Sequence, residues 1–509
     1  MSALISHLIG TALAATAFLV FGRGIVRKGR GKDFNPLPAF ILLVIGVVYQ
    51  VFLPASGATG CFAHLFLDFG LGMTIASLYL SAHRAHPRLF WVPGLLGVML
   101  GGVLYGFSFL LHQGSTCNKP DSIQLLVELG PDDNIDEIDR ILRKYGAEAQ
   151  QAFPNVDLSE DEDLAQYYLV YVDSTLRTPL ELELRNDREN VDGVELNHSI
   201  GLFPPIPAAE AVKLPPGEYI ADDPYLGQQW YARSLEYNAV YQLLQAHKPR
   251  KKVKVAIVDT GVDSDHEDLS GIYTRSGGQG DKDQHSHGTH CGGLAGAHTN
   301  NGRGVGSLNW NGEFITLSGF PALDAQGRGT DQRVAKAIID AAEAGADVIS
   351  MSLGGFSPMG APKSQRDAIK YARKLGAIVV VAAGNSNDDA RKYSPANITG
   401  VITVSAVDEQ LGKASFSNYN NHLKMPIAAP GVSILSAVPG SKYMAYNGTS
   451  MATPIVSGLV GILRAYRPDL SAEEAYGILE ATGTEVPDSD KVGKVINPRA
   501  AIEAVLQLP

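Results

Sequence analysis

The chain has 509 residues, which is too long for one ordinary domain, so two or three domains are expected. Its formal net charge of −11 is unevenly divided: residues 1–119 hold eight lysines and arginines against two acids, and the remainder holds 34 basic and 51 acidic residues. The strong acidity of residues 120–509 argues against a nucleic-acid partner, which would need a basic face.

Residues 1–118 contain four long apolar stretches, at about 4–22, 37–55, 62–82 and 89–111. Each has about the 20 residues that a helix needs to cross a bilayer. The loops after the first and third stretches are basic, which by the positive-inside rule places them in the cytoplasm. The pattern predicts a four-helix transmembrane region in a cell membrane, with the rest of the chain on the extracytoplasmic side. A cleaved signal peptide is the alternative for residues 1–22, but its basic residues would precede the apolar run, and here they follow it.

Two of the three cysteines, Cys61 and Cys117, fall on the predicted outer side, where disulfides persist. This location favours a bridge between them over two free thiols. Cys291 lies in an apolar, glycine-rich run and is expected to be a buried, inert thiol.

Residues 119–202 alternate between strand-like and helix-like patterns and are predicted to form a small α+β domain. The expected strands are 123–129, 164–172 and 191–196, and the expected helices are 134–145 and 178–188. Residues 203–221 are rich in proline, which is typical of a semi-rigid extended linker. The last domain is therefore predicted to cover residues 222–509.

From about residue 250 onward, apolar strands alternate with helices, which predicts an α/β fold with a parallel sheet covered on both faces. The expected strands are 253–258, 347–353, 377–382 and 401–407, and the expected helices are 331–344, 363–375 and 449–466. The final helix is expected to open at the capping box of Ser471 and Glu474. Active sites in such sheets lie at the carboxyl ends of strands, and Asp259 and Asn385 each follow directly on one.

Three segments carry the groups needed for acyl transfer: 255–261 with Asp259, 285–293 with His287, and 446–454 with Ser450. Ser450 starts an apolar, helix-length run, where free backbone N–H groups favour the negative charge of an oxyanion. In these motifs, in their order along the chain and in Asn385, the chain resembles the subtilisin-type serine proteases.

The resemblance implies a serine endopeptidase with Ser450 as nucleophile, His287 as general base and Asp259 as the carboxylate that orients the imidazole. The N–H of Ser450 and the side-chain amide of Asn385 would form the oxyanion hole. His290 would be structural, and no catalytic cofactor is implied.

The resemblance also implies an edge segment on which an extended substrate pairs, namely Ser352, Leu353, Gly354 and Gly355. Ala383, Gly384 and Tyr393, the last in a stretch similar to proteinase K-like members, suggest a roomy apolar pocket. Broad specificity with an apolar preference is expected.

Residues 119–202 are similar in position, and in ending on a Gly193-Val-Glu strand, to the inhibitory prodomains of this family. The chain's own prodomain is therefore expected to inhibit it, with self-processing in the linker.

Residues 299–305 resemble the calcium-binding loop of thermitase-like members. Carried over by position, the ligands are the side chains of Asp223, Asp268 and Asn301 and the carbonyls of His298, Arg303 and Val305. A plain Asn/Gly turn is the alternative. Pro426 stands where relatives have an aspartate of a second calcium site, so none is expected there.

The expected partners are polypeptide substrates, the lipid bilayer and the prodomain. The alternative functions are an inactive pseudoprotease that serves as a binding module, and a membrane sensor with the protease as its effector. The joint presence of Asp259, His287, Asn385 and Ser450 disfavours the first.

Overall fold

The computed structural model describes residues 122–202 and 219–508. The four apolar stretches, Cys61, Cys117 and most of the linker lie outside these residues. Within the described part, no helix is both long enough and apolar enough to span a membrane. The longest, Thr449–Tyr466, has 18 residues and is buried in the protein core, whereas a crossing needs about 20 lipid-facing apolar residues. The expected multi-pass membrane location is therefore contradicted, and this part of the sequence-based prediction is corrected.

Residues 122–196 form a four-stranded antiparallel sheet with three helices. The sheet order is β2-β3-β1-β4. The elements are β1 Ser122–Leu129, α1 Ile135–Lys144, β2 Glu148–Gln151, α2 Glu162–Ala165, β3 Tyr167–Asp173, α3 Arg177–Asn186 and β4 Val191–Leu196. The strand predicted from residue 164 begins later, because the Asp161 side chain accepts from the Leu164 N–H at 3.2 Å and starts the short helix α2 there.

Successive residues of β1 pack on opposite sides of this sheet. Leu125 and Val127 join a core with the buried faces of α1 and α3. Leu126 instead joins a core shared with two helices of the following part, 331–343 and 363–374. The small sheet is therefore covered by its own helices on one face and by the larger part on the other.

The larger part is built on a six-stranded parallel sheet, which confirms the α/β fold expected from the alternation of strands and helices. Its strand order is β14-β13-β11-β9-β6-β7. These strands are β6 Val253–Asp259, β7 Ile315–Pro321, β9 Val348–Met351, β11 Ile378–Ala382, β13 Ile402–Val407 and β14 Pro426–Pro430.

The helices of this part are α4 Trp230–Ser234, α5 Tyr237–Ala246, α6 His287–Gly296, α7 Asp331–Glu343, α8 Lys363–Lys374, α9 Thr449–Tyr466, α10 Ala472–Thr482, α11 Ser489–Val492 and α12 Pro498–Gln507. Short strands pair outside the main sheet: β5 Ser199–Gly201 with β8 Arg328–Thr330, β10 Gly355–Phe356 with β12 Tyr393–Ser394, and β15 Ile434–Val438 with β16 Lys442–Tyr446.

The helix that opens at Ser471 was expected to be the last, but α11 and α12 follow it. Asn497 caps α12 by accepting from the Ala500 N–H at 3.1 Å, and Pro498 stands in its first turn. Both are ordinary helix-start signals that the sequence prediction passed over.

The two faces of the parallel sheet bury different helices. Val255 and Ile257 of β6 join the core that contains α9 and α12, and Ala256 and Val258 join the core that contains α7 and α8. Helices α6 and α9 approach each other closely, since a Cβ on Gly458 would lie 2.5 Å from the Ala295 carbonyl oxygen. This packing fixes the first turns of α6 and α9 relative to each other.

Candidate active site

Asp259 and His287 form a hydrogen-bonded pair where β6 ends and α6 begins. The carboxylate is fully buried, and its oxygens lie 2.8 and 2.9 Å from His287 Nδ1. The Thr260 N–H donates to the same carboxylate at 2.8 Å. Because Nδ1 faces an acceptor, it carries the hydrogen, which leaves Nε2 as the basic nitrogen of the neutral ring.

Two opposing effects act on the charge of His287. Burial disfavours the imidazolium and lowers the pKa of His287, but the adjoining Asp259 carboxylate raises it, and the net pKa lies well above the ordinary value of 6.5. The ring is therefore a stronger base than a free histidine.

Ser450 lies in the first turn of α9, where it is 4% exposed. Its hydroxyl donates to the Ser352 carbonyl at 3.1 Å, and the Ser352 hydroxyl donates to the Ser450 carbonyl at 2.8 Å. These reciprocal bonds join the start of α9 to the segment after β9. The hydroxyl of Ser450 is thus held by a carbonyl rather than by an imidazole in this structure.

Asn385 is oriented by the residue that precedes Ser450. Its Oδ1 accepts from both the N–H and the hydroxyl of Thr449, each at 2.9 Å. Since the oxygen is committed to Thr449, the Nδ2 donor is left for the cleft, which Asn385 and Ser450 line together.

Two glycines permit this arrangement. Gly448 has φ of 154°, and a Cβ there would lie 3.1 Å from Asn385 Nδ2. A Cβ on Gly288 would lie 2.0 Å from the Gly261 carbonyl oxygen. Larger residues would displace Asn385 in the first case and His287 in the second.

The site opens into a cleft of about 670 Å³ that His287, Asn385 and Ser450 line. Residues 199–202 also line it. Their strand β5 pairs with β8, the Gly354 N–H donates to the Gly201 carbonyl at 3.1 Å, and the Leu202 N–H donates to the Gly327 carbonyl at 3.0 Å. The sequence analysis missed this docked segment. A strand of only three residues carries no local signal for a partner far along the chain.

The predicted substrate residues are only partly brought to the cleft. Gly354 and Gly355 line it, whereas Ser352 and Leu353 lie beneath it and are buried. Ala383, Gly384 and Tyr393 are not among its lining residues. The Tyr393 ring packs edge-on against Phe356 at 5.6 Å between centroids, so it contributes to the β10–β12 pair.

His290 and Cys291 are buried next to the Asp259–His287 pair. His290 Nε2 lies 3.0 Å from the carbonyls of Ile434 and Met444, and burial lowers the pKa of His290 to about 3. Cys291 is a free thiol whose pKa burial raises. Asp259, His287 and Cys291 could offer ligand atoms within 4.8 Å of one another, but a protonated thiol is a poor metal ligand.

The predicted calcium residues cluster around two carboxylates. Asp223 accepts from the Asn300 N–H at 2.9 Å, and Asp268 accepts from the Val305 N–H at 2.9 Å and from Asn301 Nδ2 at 3.2 Å. Two further residues of the set are joined to this cluster through backbone groups: the Arg303 N–H donates to Asn301 Oδ1 at 2.8 Å, and the His298 N–H donates to the Asp268 carbonyl at 2.9 Å.

These carboxylates lack a cationic side chain in the described part of the protein. Asp223 and Asp268 are 5% and 0% exposed, and neither lies within salt-bridge distance of a lysine or arginine there. Burial, followed by the negative charges of Asp268 and Asp222, raises the pKa of Asp223 to about 7. Burial also raises the pKa of Asp268. Two buried oxygen donors of this kind fit a hard cation such as calcium.

Residues 122–202 contact the larger part through polar groups that sequence reasoning did not identify. Glu195 accepts from the N–H groups of Lys363 and Ser364 at 2.7 and 3.0 Å, at the start of α8. Lys363 Nζ lies 2.6 Å from Glu128 and 2.8 Å from Asp367. No local pattern signals these contacts, since each joins residues distant in sequence.

Comparison with known proteins shows which proteins this chain is similar to in sequence. The family model for the subtilase family, Peptidase_S8, matches residues 250–495. Thermitase of Thermoactinomyces vulgaris is 38% identical over 274 residues, which cover 53% of this chain and 93% of thermitase. Subtilisin DY of Bacillus licheniformis is 38% identical over 258 residues, covering 49% of this chain and 91% of subtilisin DY. A thermophilic serine proteinase of Bacillus sp. strain AK1 is 40% identical over 215 residues, covering 41% of this chain and 51% of that protein.

Proposed function

The chain belongs to the subtilase family of serine proteases, and on that premise we propose which residues hydrolyse the peptide bond and how residues 122–202 control them. It is a serine endopeptidase that acts on polypeptides, as its relatives are. One observation carries the assignment of roles: His287, hydrogen-bonded to the buried Asp259, lines the same cleft as Ser450 and Asn385.

In the proposed reaction, the Ser450 oxygen attacks the peptide carbonyl while His287 Nε2 takes its proton. Asp259 keeps the Nδ1 tautomer and stabilises the imidazolium, a role supported by the contacts of 2.8 and 2.9 Å. His287 then gives the proton to the leaving nitrogen, and water repeats the sequence to release the acyl group. No catalytic cofactor takes part.

The developing oxyanion would receive hydrogen bonds from the Ser450 N–H and Asn385 Nδ2. The orientation of Asn385 by Thr449 supports this role, because the amide is fixed before the reaction begins. The hydroxyl of Ser450 must first turn from the Ser352 carbonyl toward His287.

We further propose that residues 122–202 act as an inhibitory prodomain. Support comes from residues 199–202, which lie as a strand in the cleft, and from the Glu195 contacts to α8. Self-processing would then occur in the segment that follows residue 202.

For calcium, we propose a structural site made by Asp223, Asp268 and Asn301 with carbonyls of residues 298, 303 and 305. The two buried carboxylates support it, because bound calcium would supply the positive charge they lack. No step of the reaction passes through this ion.

Specificity is proposed to be broad with a preference for apolar residues before the cut bond. The docked segment supports this, because both of its apolar side chains pack closely on the protein. Ile200 is only 4% exposed. Leu202 lies so near Gly327 that a Cβ added to that glycine would be 2.9 Å from Leu202 Cδ1. An apolar peptide therefore fills this cleft well.

The assignment is tested by casein hydrolysis with the full chain, before and after limited treatment with bead-bound trypsin, which cuts the linker at Lys213, lets the prodomain dissociate and is removed before the assay. We expect hydrolysis, and labelling by a fluorophosphonate, from the wild type and from the exposed-site control Ser234→Ala. Neither should occur in Ser450→Ala. If the treated wild type hydrolyses nothing and takes no label, the chain is a pseudoprotease and the proposal fails.

A further inference from the structure

Asp283 is a carboxylate in the loop that leads into α6, and only 9% of the residue is exposed. Its oxygens accept five hydrogen bonds of 2.7–2.9 Å, from the Thr260 hydroxyl, the N–H groups of His285, Ser286 and Thr289, and the Thr289 hydroxyl. The proposed reaction gives this side chain no part, since Asp283 is not among the residues that line the cleft. So many bonds to one buried group nevertheless fix the position of every donor.

Most of these donors belong to the start of α6. Ser286 precedes the helix with φ of 92°, a left-handed conformation that costs free energy in a residue other than glycine, and its side chain forms no cap. The Asp283 carboxylate supplies the missing cap, because it accepts from the N–H groups of Ser286 and Thr289, each at 2.9 Å. His287 lies between these two residues, so Asp283 fixes the turn that carries the imidazole.

Thr260 joins this turn to the carboxylate of Asp259. Its N–H donates to Asp259 at 2.8 Å. Its hydroxyl donates to Asp283 at 2.9 Å and accepts from the Gly288 N–H at 3.0 Å. Because the hydroxyl hydrogen is directed to Asp283, a lone pair of the same oxygen is left for the backbone of α6. Thr260 therefore connects Asp259 with the residues on either side of His287.

We propose that Asp283, acting through Thr260 and the first turn of α6, is a positioning residue that keeps His287 Nδ1 within hydrogen-bond distance of Asp259. This inference rests on the proposed function and adds a residue to it. The contacts that Asp283 would maintain are those of 2.8 and 2.9 Å between Nδ1 and the Asp259 carboxylate. Without this support the start of α6 would shift, and a misplacement of about 1 Å can cost about 100-fold in rate.

The test is steady-state kinetics on one peptide substrate, with each full chain first freed of its prodomain by the bead-bound trypsin treatment. Asp283→Asn keeps the size of the side chain but turns one acceptor oxygen into an NH₂ group, which cannot accept from the donors around it. We expect kcat to fall about 100-fold, with KM little changed. The acid midpoint of kcat/KM should move to lower pH, because a more distant Asp259 raises the pKa of His287 less.

Asp281→Asn is the matched control, because Asp281 lies in the same loop and is also 9% exposed. In the described part of the protein, its carboxylate accepts from Tyr273, Ser276 and Gly277, and from no group of α6. We expect this variant to unfold at a lower temperature but to keep the wild-type kcat and the wild-type acid midpoint. A merely structural role of Asp283 would give the same result as the control.

Two variants of Thr260 test the connection independently. Thr260→Val removes the hydroxyl and should repeat both losses of Asp283→Asn, whereas Thr260→Ser keeps the hydroxyl and should retain the wild-type values. A double variant with Asp283→Asn and Thr260→Val should be no slower than the slower single variant, because both changes break the same connection.

The proposal fails if the wild type is active and Asp283→Asn keeps its kcat or its acid midpoint, or if Asp281→Asn loses as much kcat. It also fails if the losses of the two single variants multiply in the double variant. If circular dichroism shows that neither Asp283→Asn nor Thr260→Val folds, the two residues serve folding alone, and the proposal is again wrong. If the wild type itself hydrolyses no peptide after the trypsin treatment, the proposed function fails, and this inference with it.

Discussion

At the scale of single residues, Asn385 shows how one side chain can be fixed before it is needed. Its oxygen accepts two hydrogen bonds from Thr449, and Gly448 leaves room for its nitrogen. The motif around Asn385 was recognisable from sequence, because the family pattern names the residue. The contacts with Thr449 could not be recognised from the sequence, because they depend on how two distant loops meet.

Replacing Asn385 by alanine should lower kcat about 10²–10³-fold, the range known for such a donor in subtilisin itself, because the oxyanion loses one hydrogen bond. KM should change little, since the donor acts mainly in the transition state. Steady-state kinetics on one peptide substrate would measure this. The exposed Asn421→Ala is the control, and a loss of affinity with kcat intact would contradict the proposed role.

His287 should set the acid side of the pH profile. Burial lowers and Asp259 raises its pKa, with a net value above 6.5, and the base works only when neutral. Activity should therefore fall as the pH drops, with a midpoint of kcat/KM above 6.5. A midpoint at or below that of free histidine would show that Asp259 does not outweigh burial.

At the scale of elements, segment 299–305 joins the start of the catalytic part to its core. Gly304 has φ of 42°, and a Cβ there would lie 2.0 Å from Asp268 Oδ2, so the backbone is wrapped tightly around the carboxylate. The loop could be predicted from its Asn and Gly residues. The deep burial of both aspartates could not be predicted, because burial depends on the surrounding fold.

Removal of calcium with a chelator should lower the unfolding temperature of the Ser450→Ala chain, which cannot digest itself. Calcium at about 100 times its Kd would contribute about 2.7 kcal/mol, or several degrees. Asp268→Asn should abolish this response, whereas Asp265→Asn, at an exposed carboxylate, should keep it. An equal response to the chelator in the parent chain and in Asp268→Asn would place the ion elsewhere.

The contact of α6 with α9 should tolerate no added methyl group. Gly458→Ala would press a Cβ against the Ala295 carbonyl oxygen at 2.5 Å, at an expected cost of about 1–3 kcal/mol. Gly477→Ala in α10 is the matched control, since a Cβ there meets nothing within 4 Å and alanine favours a helix. Thermal unfolding in the Ser450→Ala background should separate the two variants, and equal unfolding temperatures would refute the packing argument.

At the scale of the whole molecule, four of the six strands of the parallel sheet and four of its helices could be predicted, because each of these elements carries its own pattern. The strand of residues 253–258 is uniformly apolar apart from Lys254, and α9 matches its predicted bounds. The relation between the small sheet and the larger part could not be predicted. It rests on pairs such as Glu195 with the start of α8, whose partners have no common local signal.

Glu195→Ala should weaken this docking. The start of α8 has no side-chain cap of its own, and the Glu195 carboxylate supplies one to two N–H groups. Losing a cap costs about 1–2 kcal/mol, and 1.4 kcal/mol is about tenfold in an equilibrium. The initial rate of casein hydrolysis by the intact chain should rise about tenfold. Exposed Glu189→Ala removes the same charge and should leave the rate unchanged, so an equal rise in both variants would refute the cap.

One side of the small sheet carries an apolar surface that includes Leu126, Phe153 and Tyr167. This surface affects whether activation can be reversed. These side chains are buried against α7 and α8, and Tyr167 donates to Asp367 at 2.9 Å. A severed fragment of about 80 residues would expose this apolar surface to water and would keep only the core between its sheet and the helices α1 and α3. We expect the free fragment to unfold and to be digested rather than rebind, so that activation is irreversible once it has begun.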